Sequence, residues 1–104
     1  MLSRTRRRRH PRALQELREY FGILSDTARL DILGLLAASS HDLTVSDVAR
    51  NLNISQPLCS WHVRRLVKLG LVRTRRVGRE AHCSLDRARL QEFEQAFSNL
   101  LTPH

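Results

Sequence analysis

The feature that most limits how this chain can fold is the stretch "TVSDVARNLNISQPLCSWHVRRLVKLG", residues 44–70. Thr44 and Asp47 have the spacing of a capping box, which predicts the start of a short helix. In "NIS", Asn53 tolerates a left-handed backbone and Ser55 can cap a second, longer helix. A short helix, a three-residue turn and a longer helix predict a helix-turn-helix.

The segments on either side complete a small, mainly α domain of the α+β class. Directly downstream, "LVRTRR" and "AHCSL" predict short strands around "VGRE", which makes a hairpin, or wing, bent at Gly78. Upstream, apolar residues three or four apart predict one helix from Arg12 and another within "SDTARLDILGLLAAS". Asp86 can cap a last helix. The predicted order is α-α-α-α-β-β-α over residues 12–102, a winged helix-turn-helix.

Positive charge is concentrated in two segments of the chain, whose formal net charge is +8 and whose pI is near 11.3. Residues 1–12 contain six Arg and no acidic residue, and residues 56–79 contain seven basic residues and no acidic one. This distribution predicts an anionic partner, with nucleic acid ahead of an acidic membrane surface. Residues 1–11 are expected to form a disordered basic tail, either solvated or acting as an arm on phosphates or in a minor groove.

The longer helix of the motif is predicted to have two different faces. At about 100° per residue, an apolar stripe is centred on Leu66 and a basic face lies opposite. In a major groove, Arg64 could reach guanine O6 and N7, and Gln56 could reach an adenine edge. Arg65 and Lys68 are better placed for phosphates. The residues predicted to contact DNA, including three Arg of the wing, are Ser55, Gln56, Ser60, Trp61, Arg64, Arg65, Lys68, Arg75, Arg76 and Arg79.

Two parts of this basic surface have alternative interpretations. Trp61 either packs on a thymine methyl or the DNA backbone, or packs against the tail or a partner chain. A single wing Arg could simply protect a solvated sheet edge. Four of them on one short ribbon, Arg73, Arg75, Arg76 and Arg79, would repel each other without a nearby anion, which favours DNA.

Other protein classes lack their characteristic patterns here. Cys59 and Cys83 form no C-x-x-C pair and are too few for a disulfide framework. No apolar run approaches the roughly 20 residues that cross a bilayer, so we expect no membrane partner and a cytoplasmic protein. The Arg-rich, acid-free start leaves an organellar transit peptide as the alternative. Ser60 and His62 do not face each other on a helix, and we expect neither enzymatic activity nor a small-molecule substrate.

From about Leu14 to Leu100, these motifs resemble the ArsR/SmtB family of bacterial winged helix-turn-helix repressors. "LSDTARLDILGLLA" is similar to the family phrase L-(A/S)-(D/H)-x-x-R-L-x-I-L-x-L-L. Four further matches occur in register together, at Ser55-Gln56, Ser60-x-His62, Gly70-Leu71-Val72 and Gly78-Arg79. The resemblance implies a sequence-specific regulator of transcription, a repressor that an effector, usually a metal ion, loosens from double-stranded DNA.

The resemblance also implies a homodimer formed by the first and last helices. Such a dimer would place two helix-turn-helix motifs on an inverted-repeat operator. Apolar residues suited to this contact are Leu14, Leu17, Phe21, Leu90, Phe93, Phe97, Leu100 and Leu101. The alternative function is that of a sequence-neutral, architectural nucleic-acid-binding protein, which accounts for the charge but not for the helix face and wing in family register.

The metal-binding positions of the family are altered in this sequence. Its third-helix phrase E-L-C-V-C-D-L is here "DLTVSDV", with Thr44 and Ser46 at the cysteine positions. Hydroxyls do not replace thiolates for soft metals. The last-helix zinc site of the family needs Asp and His, but the predicted helix offers Asp86 and no His. We therefore expect no metal site and no cofactor, and we interpret Cys59 as core packing, with a metal or redox role as the alternative.

Overall fold

The computed structural model describes residues 11–102, except for the side chains of residues 11 and 13. The predicted basic tail therefore lies outside the described residues, apart from Pro11, which begins the first helix and was expected to belong to the tail. Proline suits this position because the first helical N–H groups have no intrahelical partner. In order, the elements are α1 (Pro11–Leu24), α2 (Thr27–Ala38), β1 (Leu43–Thr44), α3 (Val45–Leu52), α4 (Gln56–Leu69), β2 (Val72–Val77), β3 (Glu80–Leu85) and α5 (Arg87–Leu101).

The predicted winged helix-turn-helix is confirmed, with one strand that the sequence analysis missed. The sheet has three antiparallel strands in the order β1-β3-β2. In β1, Leu43 pairs with Cys83 and Thr44 with His82. A two-residue strand is too short to show an alternating pattern, and the preceding polar residues resembled a break between helices. Pairing with β3 supplies the hydrogen bonds that define this strand.

Local side-chain bonds set the boundaries of the helix-turn-helix, as predicted. The Thr44 hydroxyl accepts from the Asp47 amide at 3.0 Å, and the Asp47 carboxylate accepts from the Thr44 amide at 3.2 Å. The bond that the carboxylate accepts from the Thr44 amide, followed by the nearby Thr44 hydroxyl, lowers the pKa of Asp47. Asn53 is left-handed, with φ 57° and ψ 46°, and the Ser55 hydroxyl accepts from the amide of Leu58 at 3.2 Å. The turn thus fixes the angle at which α4 leaves α3.

Two apolar clusters hold the helices together. The larger one joins α2, α3, α4 and the sheet, and it includes the fully buried Ile32, Leu66 and Cys83. Its buried members are Ile32, Leu36, Val45, Val48, Ala49, Cys59, Val63, Leu66, Val72 and Cys83. Because α4 packs its predicted stripe into this cluster, its basic residues are left at the surface.

The smaller cluster joins α1, the end of α4 and α5 within a single chain. Tyr20 stacks on Phe93, with ring centroids 4.1 Å apart, and Leu17 is buried beside them. Leu17 and Phe93 are only 2% and 3% exposed in the single chain, contrary to our expectation that they form part of a dimer surface. The monomer absorbs these two side chains because α1 and α5 pack directly against each other. No helix within residues 11–102 is long and apolar enough to cross a membrane.

Candidate nucleic-acid interface

The exposed residues of α4 lie on two flanks, with Lys68 between them and lining the cavities on both sides. Gln56, Ser60 and Arg64 face the wing. On the other side, Arg65 faces α1 and α2, and Trp61 lies beside the side chain of Arg29 from α2. Since α4 is held by its buried stripe, each flank has a fixed neighbour. The two flanks can therefore contact different parts of a nucleic acid.

The wing-side flank of α4 and the hairpin enclose a groove. Two adjoining cavities of about 420 and 430 Å³ occupy it. Arg64 donates to the Ser60 hydroxyl at 3.1 Å, which holds both polar groups on the helix side. The opposite wall carries Arg76 and Arg79, with the carboxylate of Glu80 beside them. The groove thus combines hydrogen-bonding groups on a helix with a mainly cationic ribbon.

The four wing arginines divide between the two faces of the hairpin. Side chains alternate along a strand, and Arg76 faces the groove together with Thr74. On the other face, Arg73 bonds the Asp86 carboxylate at 3.1 Å, and Arg75 bonds the Asp42 carboxylate at 3.2 Å. Two of the four arginines therefore have a nearby anion within the chain, so their mutual repulsion favours DNA less than we expected. The structure directs Arg76, rather than Arg75, toward α4.

Trp61 packs within its own chain in a way that neither sequence interpretation included. The Cζ atoms of Arg29 and Arg65 lie 5.0 and 5.2 Å from the centre of the Trp61 ring system. The ring also meets His62 edge-on, at 5.0 Å between centroids. Guanidinium groups at such distances are attracted to the indole face. The 42% of Trp61 that remains exposed therefore belongs to the flank facing α2.

Beneath Trp61 lies a buried Arg–His pair, which the sequence analysis missed. Arg29 is 7% exposed, and its Nε donates to His62 Nδ1 at 3.1 Å. Its Nη1 donates to the carbonyl of Ile23 at 3.2 Å. Because His62 Nδ1 accepts this bond, the imidazole is neutral and carries its proton on Nε2. The spacing could have revealed the burial of Arg29, though not its partner, since Arg29 lies three residues before Ile32 and seven before Leu36 on the buried face of α2.

Both cysteines lie inside the larger apolar cluster. Cys59 and Cys83 are fully buried, and the Cys59 thiol lies 3.7 Å from the Val45 carbonyl. Burial raises the pKa of the Cys59 thiol. Burial, followed by the nearby Cys59 and the Asp42 carboxylate, raises the pKa of Cys83 to about 11. Both groups are therefore protonated near neutral pH and pack as small apolar side chains.

Comparison with known proteins agrees with this geometry. Residues 25–73 match the family profile described as winged helix-turn-helix DNA-binding. The arsenical resistance operon repressor of Staphylococcus aureus is 38% identical over 81 residues, which cover 78% of this chain and 76% of that protein. The chain belongs to the ArsR/SmtB family.

Solved structures of ArsR-type regulators share the fold of this ArsR/SmtB-family protein. An ArsR-like transcriptional regulator from Rhodococcus sp. RHA1 has a TM-score of 0.72 at 30% identity, covering 84% of this chain and 80% of that one. A homodimeric winged helix-turn-helix DNA-binding domain from Mycobacterium bovis, a possible ArsR-family regulator, has a TM-score of 0.69 at 26% identity. The match covers 92% of this chain and 90% of the M. bovis chain. The predicted DNA-binding transcriptional repressor is thus confirmed at the level of the family.

The positions of the family's metal sites hold hydroxyl groups and a hydrogen-bonded carboxylate in this ArsR/SmtB-family protein. At the third-helix positions, the Thr44 hydroxyl is engaged as the cap of α3, and Ser46 supplies a second hydroxyl. At the last helix, the Asp86 carboxylate accepts from the Arg89 amide at 3.0 Å and from Arg73 at 3.1 Å. Within residues 11–102, no three His, Cys, Asp or Glu side chains are grouped as a metal site would require. His10 and His104 lie outside the described residues.

Proposed function

We propose that this ArsR/SmtB-family protein is a dimeric repressor that recognises an inverted-repeat operator through α4 and the wing. The observation that carries the proposal is the groove between them. Gln56, Ser60 and Arg64 line its helix wall, and Arg76 and Arg79 line its hairpin wall. Such donors on a helix suit base edges in a major groove, while cations on an adjacent ribbon suit the flanking phosphates.

The bonds around the groove support separate roles for its residues. Arg64, oriented by Ser60, can offer two N–H groups to guanine O6 and N7. Gln56, in the first turn of α4, suits an adenine edge. Arg76 and Arg79 suit phosphates, whereas Arg75, which we also expected to contact DNA, is paired with Asp42 on the other face of the hairpin. This division gives specificity to the helix and general affinity to the wing.

Exposed apolar residues on α1 and α5 support a twofold dimer. Phe21 and Phe97 are 45% and 41% exposed, and their rings meet edge-on at 5.2 Å. Leu100 and Leu101 extend the same surface and are even more exposed. The homodimeric M. bovis domain, which shares the fold, lends further support. A twofold dimer would present two copies of α4 about 34–36 Å apart, one helical turn of DNA, which suits an inverted repeat.

We further propose that metal ions do not regulate this repressor through the family's third-helix or last-helix sites. The support is chemical, since hydroxyls and a single engaged carboxylate stand where thiolates and imidazoles would be needed. DNA binding with and without a chelator checks this. A loss of operator affinity caused by zinc or arsenite, and absent from a Thr44→Ala/Ser46→Ala variant, would contradict it.

The function as a whole is tested by titrating the full chain with duplex DNA. One duplex carries the region upstream of the protein's own gene, and the other has the same length and composition in random order. We expect the first to bind at least about 10³-fold more tightly at physiological salt, as specific regulators do. Equal affinity for both duplexes would favour the sequence-neutral, architectural alternative.

A further inference from the structure

A second cleft lies on the flank of α4 that faces away from the wing. Its volume is about 360 Å³, and it is bounded by α1, α2 and α4. Gly22, Ile23 and Leu69 provide its apolar lining. Its charged lining consists of Arg29, Arg65, Lys68 and the single carboxylate of Glu19. Three cations and one anion thus converge on a space large enough for a phosphate group.

The charge of Arg29 has no ion-pair partner within residues 11–102. Its partners are a neutral imidazole, a carbonyl oxygen and an indole ring, all of them without formal charge. Among the described residues, no carboxylate lies within 4 Å of its guanidinium. A cation that is 7% exposed is costly to bury without an ionic partner. An anion in the adjoining cleft would supply that partner.

We infer that this cleft binds one phosphate group of the DNA backbone, with Arg29 as its buried base and Arg65 and Lys68 at its mouth. The inference rests on the proposed function, because it concerns the second phosphate backbone that borders the same DNA major groove. An α-helix with its side chains is about 10–12 Å across, and the major groove is about 12 Å wide. A helix that fills the groove therefore has a phosphate backbone along each flank. The wing meets one backbone, and this cleft meets the other.

The contacts of Arg29 connect the cleft to the helix that reads the bases. Its Nη1 bond to Ile23 reaches the end of α1, and its Nε bond to His62 reaches α4. A phosphate drawn to Arg29 is thereby attached to three helices at once. We therefore describe Arg29 as a phosphate-binding and positioning residue, which sequence reasoning had not assigned to the interface.

The salt dependence of DNA binding tests whether Arg65 and Lys68 share one phosphate. Each phosphate contact contributes about 0.9 to the slope of log K against log salt. We expect Arg65→Gln/Lys68→Gln to lower this slope by about 0.9 per protomer, the loss of one phosphate contact, and an unchanged slope would overturn the inference. Two separate contacts would lower it by about 1.8 and would overturn the shared site. Arg87→Gln, which removes an exposed charge where Arg87 bonds the carbonyl of Ala37, is the control and should leave the slope unchanged.

Substitution of Arg29 separates phosphate binding from a purely structural role. Both Arg29→Lys and Arg29→Gln disturb the bonds to His62 and Ile23, but only Lys keeps the charge. We expect Arg29→Gln to lower the salt slope and Arg29→Lys to retain it. Equal slopes in two folded variants would mean a structural role and would overturn the inference. If circular dichroism shows that neither variant folds, the Arg65→Gln/Lys68→Gln result decides alone.

Titration with inorganic phosphate in the absence of DNA distinguishes the two sources of phosphate. Trp61, the one tryptophan of the chain, adjoins Arg29 and Arg65 and reports on the cleft by fluorescence. We expect no saturable change, because the backbone phosphate is held in place by the rest of the duplex. A saturable change that disappears in Arg65→Gln/Lys68→Gln would assign the cleft to a free anion and overturn the DNA assignment. If Arg65→Gln/Lys68→Gln lowers the salt slope by about 1.8 but keeps its sequence preference, the shared phosphate site is wrong and the proposed repressor function is unaffected.

Discussion

At the scale of single residues, the partners of the wing arginines separate those available to DNA from those held by the protein. Arg75 lies 3.2 Å from the Asp42 carboxylate, whereas Arg76 Nη1 donates to the Arg79 carbonyl inside the groove. The sequence showed a row of cations but not these partners, because Asp42 lies 33 residues before Arg75. The burial of Arg29 against His62, also 33 residues apart, was missed for the same reason.

This difference predicts unequal effects of equal charge changes. Arg76→Ala should weaken binding to every duplex and reduce the salt slope by about 1. Arg75→Ala, the matched control, should change binding little because its guanidinium faces away from the groove. Arg64→Ala should instead relax sequence preference, at a cost of about 1–3 kcal/mol on the specific site. Fluorescence anisotropy with specific and random duplexes measures all three, and a larger effect of Arg75→Ala than of Arg76→Ala would contradict the assignment.

The raised pKa of Cys83 predicts how stability changes in alkaline solution. The ordinary pKa is 9.0, and the folded value is about 11, so the unfolded chain releases its proton first. The free energy of unfolding should therefore be unaffected by this group below pH 9 and should fall as the pH rises from 9 toward 11. Urea unfolding at about pH 8 and about pH 10 measures the loss. It should be smaller in Cys83→Ala, and an equal loss in that variant would show that other groups cause it.

Burial of both thiols also predicts their chemical reactivity. At neutral pH, Cys59 and Cys83 should resist iodoacetamide in the folded protein, because each is fully buried and protonated. Both should be alkylated after addition of urea. Mass spectrometry of the labelled chain distinguishes none, one and two additions. Rapid labelling without urea would indicate that the larger apolar cluster opens.

At the scale of elements, predictions succeeded where a few neighbouring residues determine the backbone. The capping box of Thr44 and Asp47, the left-handed Asn53 and the cap at Ser55 all depend on local chemistry. The strand β1 depends instead on β3, which lies much later in the chain, and two residues contain no pattern of their own. The helical wheel placed Trp61, Arg64 and Lys68 on one face of α4, with Arg65 on its flank. It could not divide that face between the wing and α2, because a wheel does not contain the neighbouring elements.

Two glycines in different elements give a matched test of backbone conformation. Gly70 has φ +88°, and a Cβ there would lie 2.9 Å from Arg89 Nε, which donates to the Leu69 carbonyl. Gly70→Ala should therefore lower the free energy of unfolding by about 1–2 kcal/mol. Gly34 lies within α2, where an added Cβ would meet open space, so Gly34→Ala should raise it by about 0.5–1 kcal/mol. Urea unfolding measures both, and the same sign for both would refute this interpretation.

At the scale of the whole molecule, α1 and α5 carry two separate sets of apolar residues. Their inner residues, including Leu17 and Phe93, form a core within one chain. Their outer residues, including Phe97 and Leu101, stay exposed and are available to a second copy. Helical spacing identified both sets as apolar but could not divide them, because the division depends on how the two helices pack.

The division predicts which substitutions separate the dimer without unfolding the chain. Phe97→Asp/Leu101→Asp should yield folded monomers, since both side chains are exposed in the single chain and would be covered by the second copy in a dimer. Leu30→Asp, at a similarly exposed apolar position on α2, is the control and should remain dimeric. Sedimentation velocity measures the mass of each. A dimer that persists in the double variant would place the interface elsewhere.

The position of Thr44 has a mechanical consequence for the domain. This residue ends β1, where it pairs with His82, and it also caps α3 through its bonds with Asp47. No linker separates β1 from α3. The hairpin, which pairs with β1 through β3, is therefore expected to move together with α3. A displacement of β3 would therefore move α3 as well, and it would change the tilt of α4 in the DNA major groove. The amide protons of the hairpin base and of α3 should accordingly exchange with solvent as one cooperative unit.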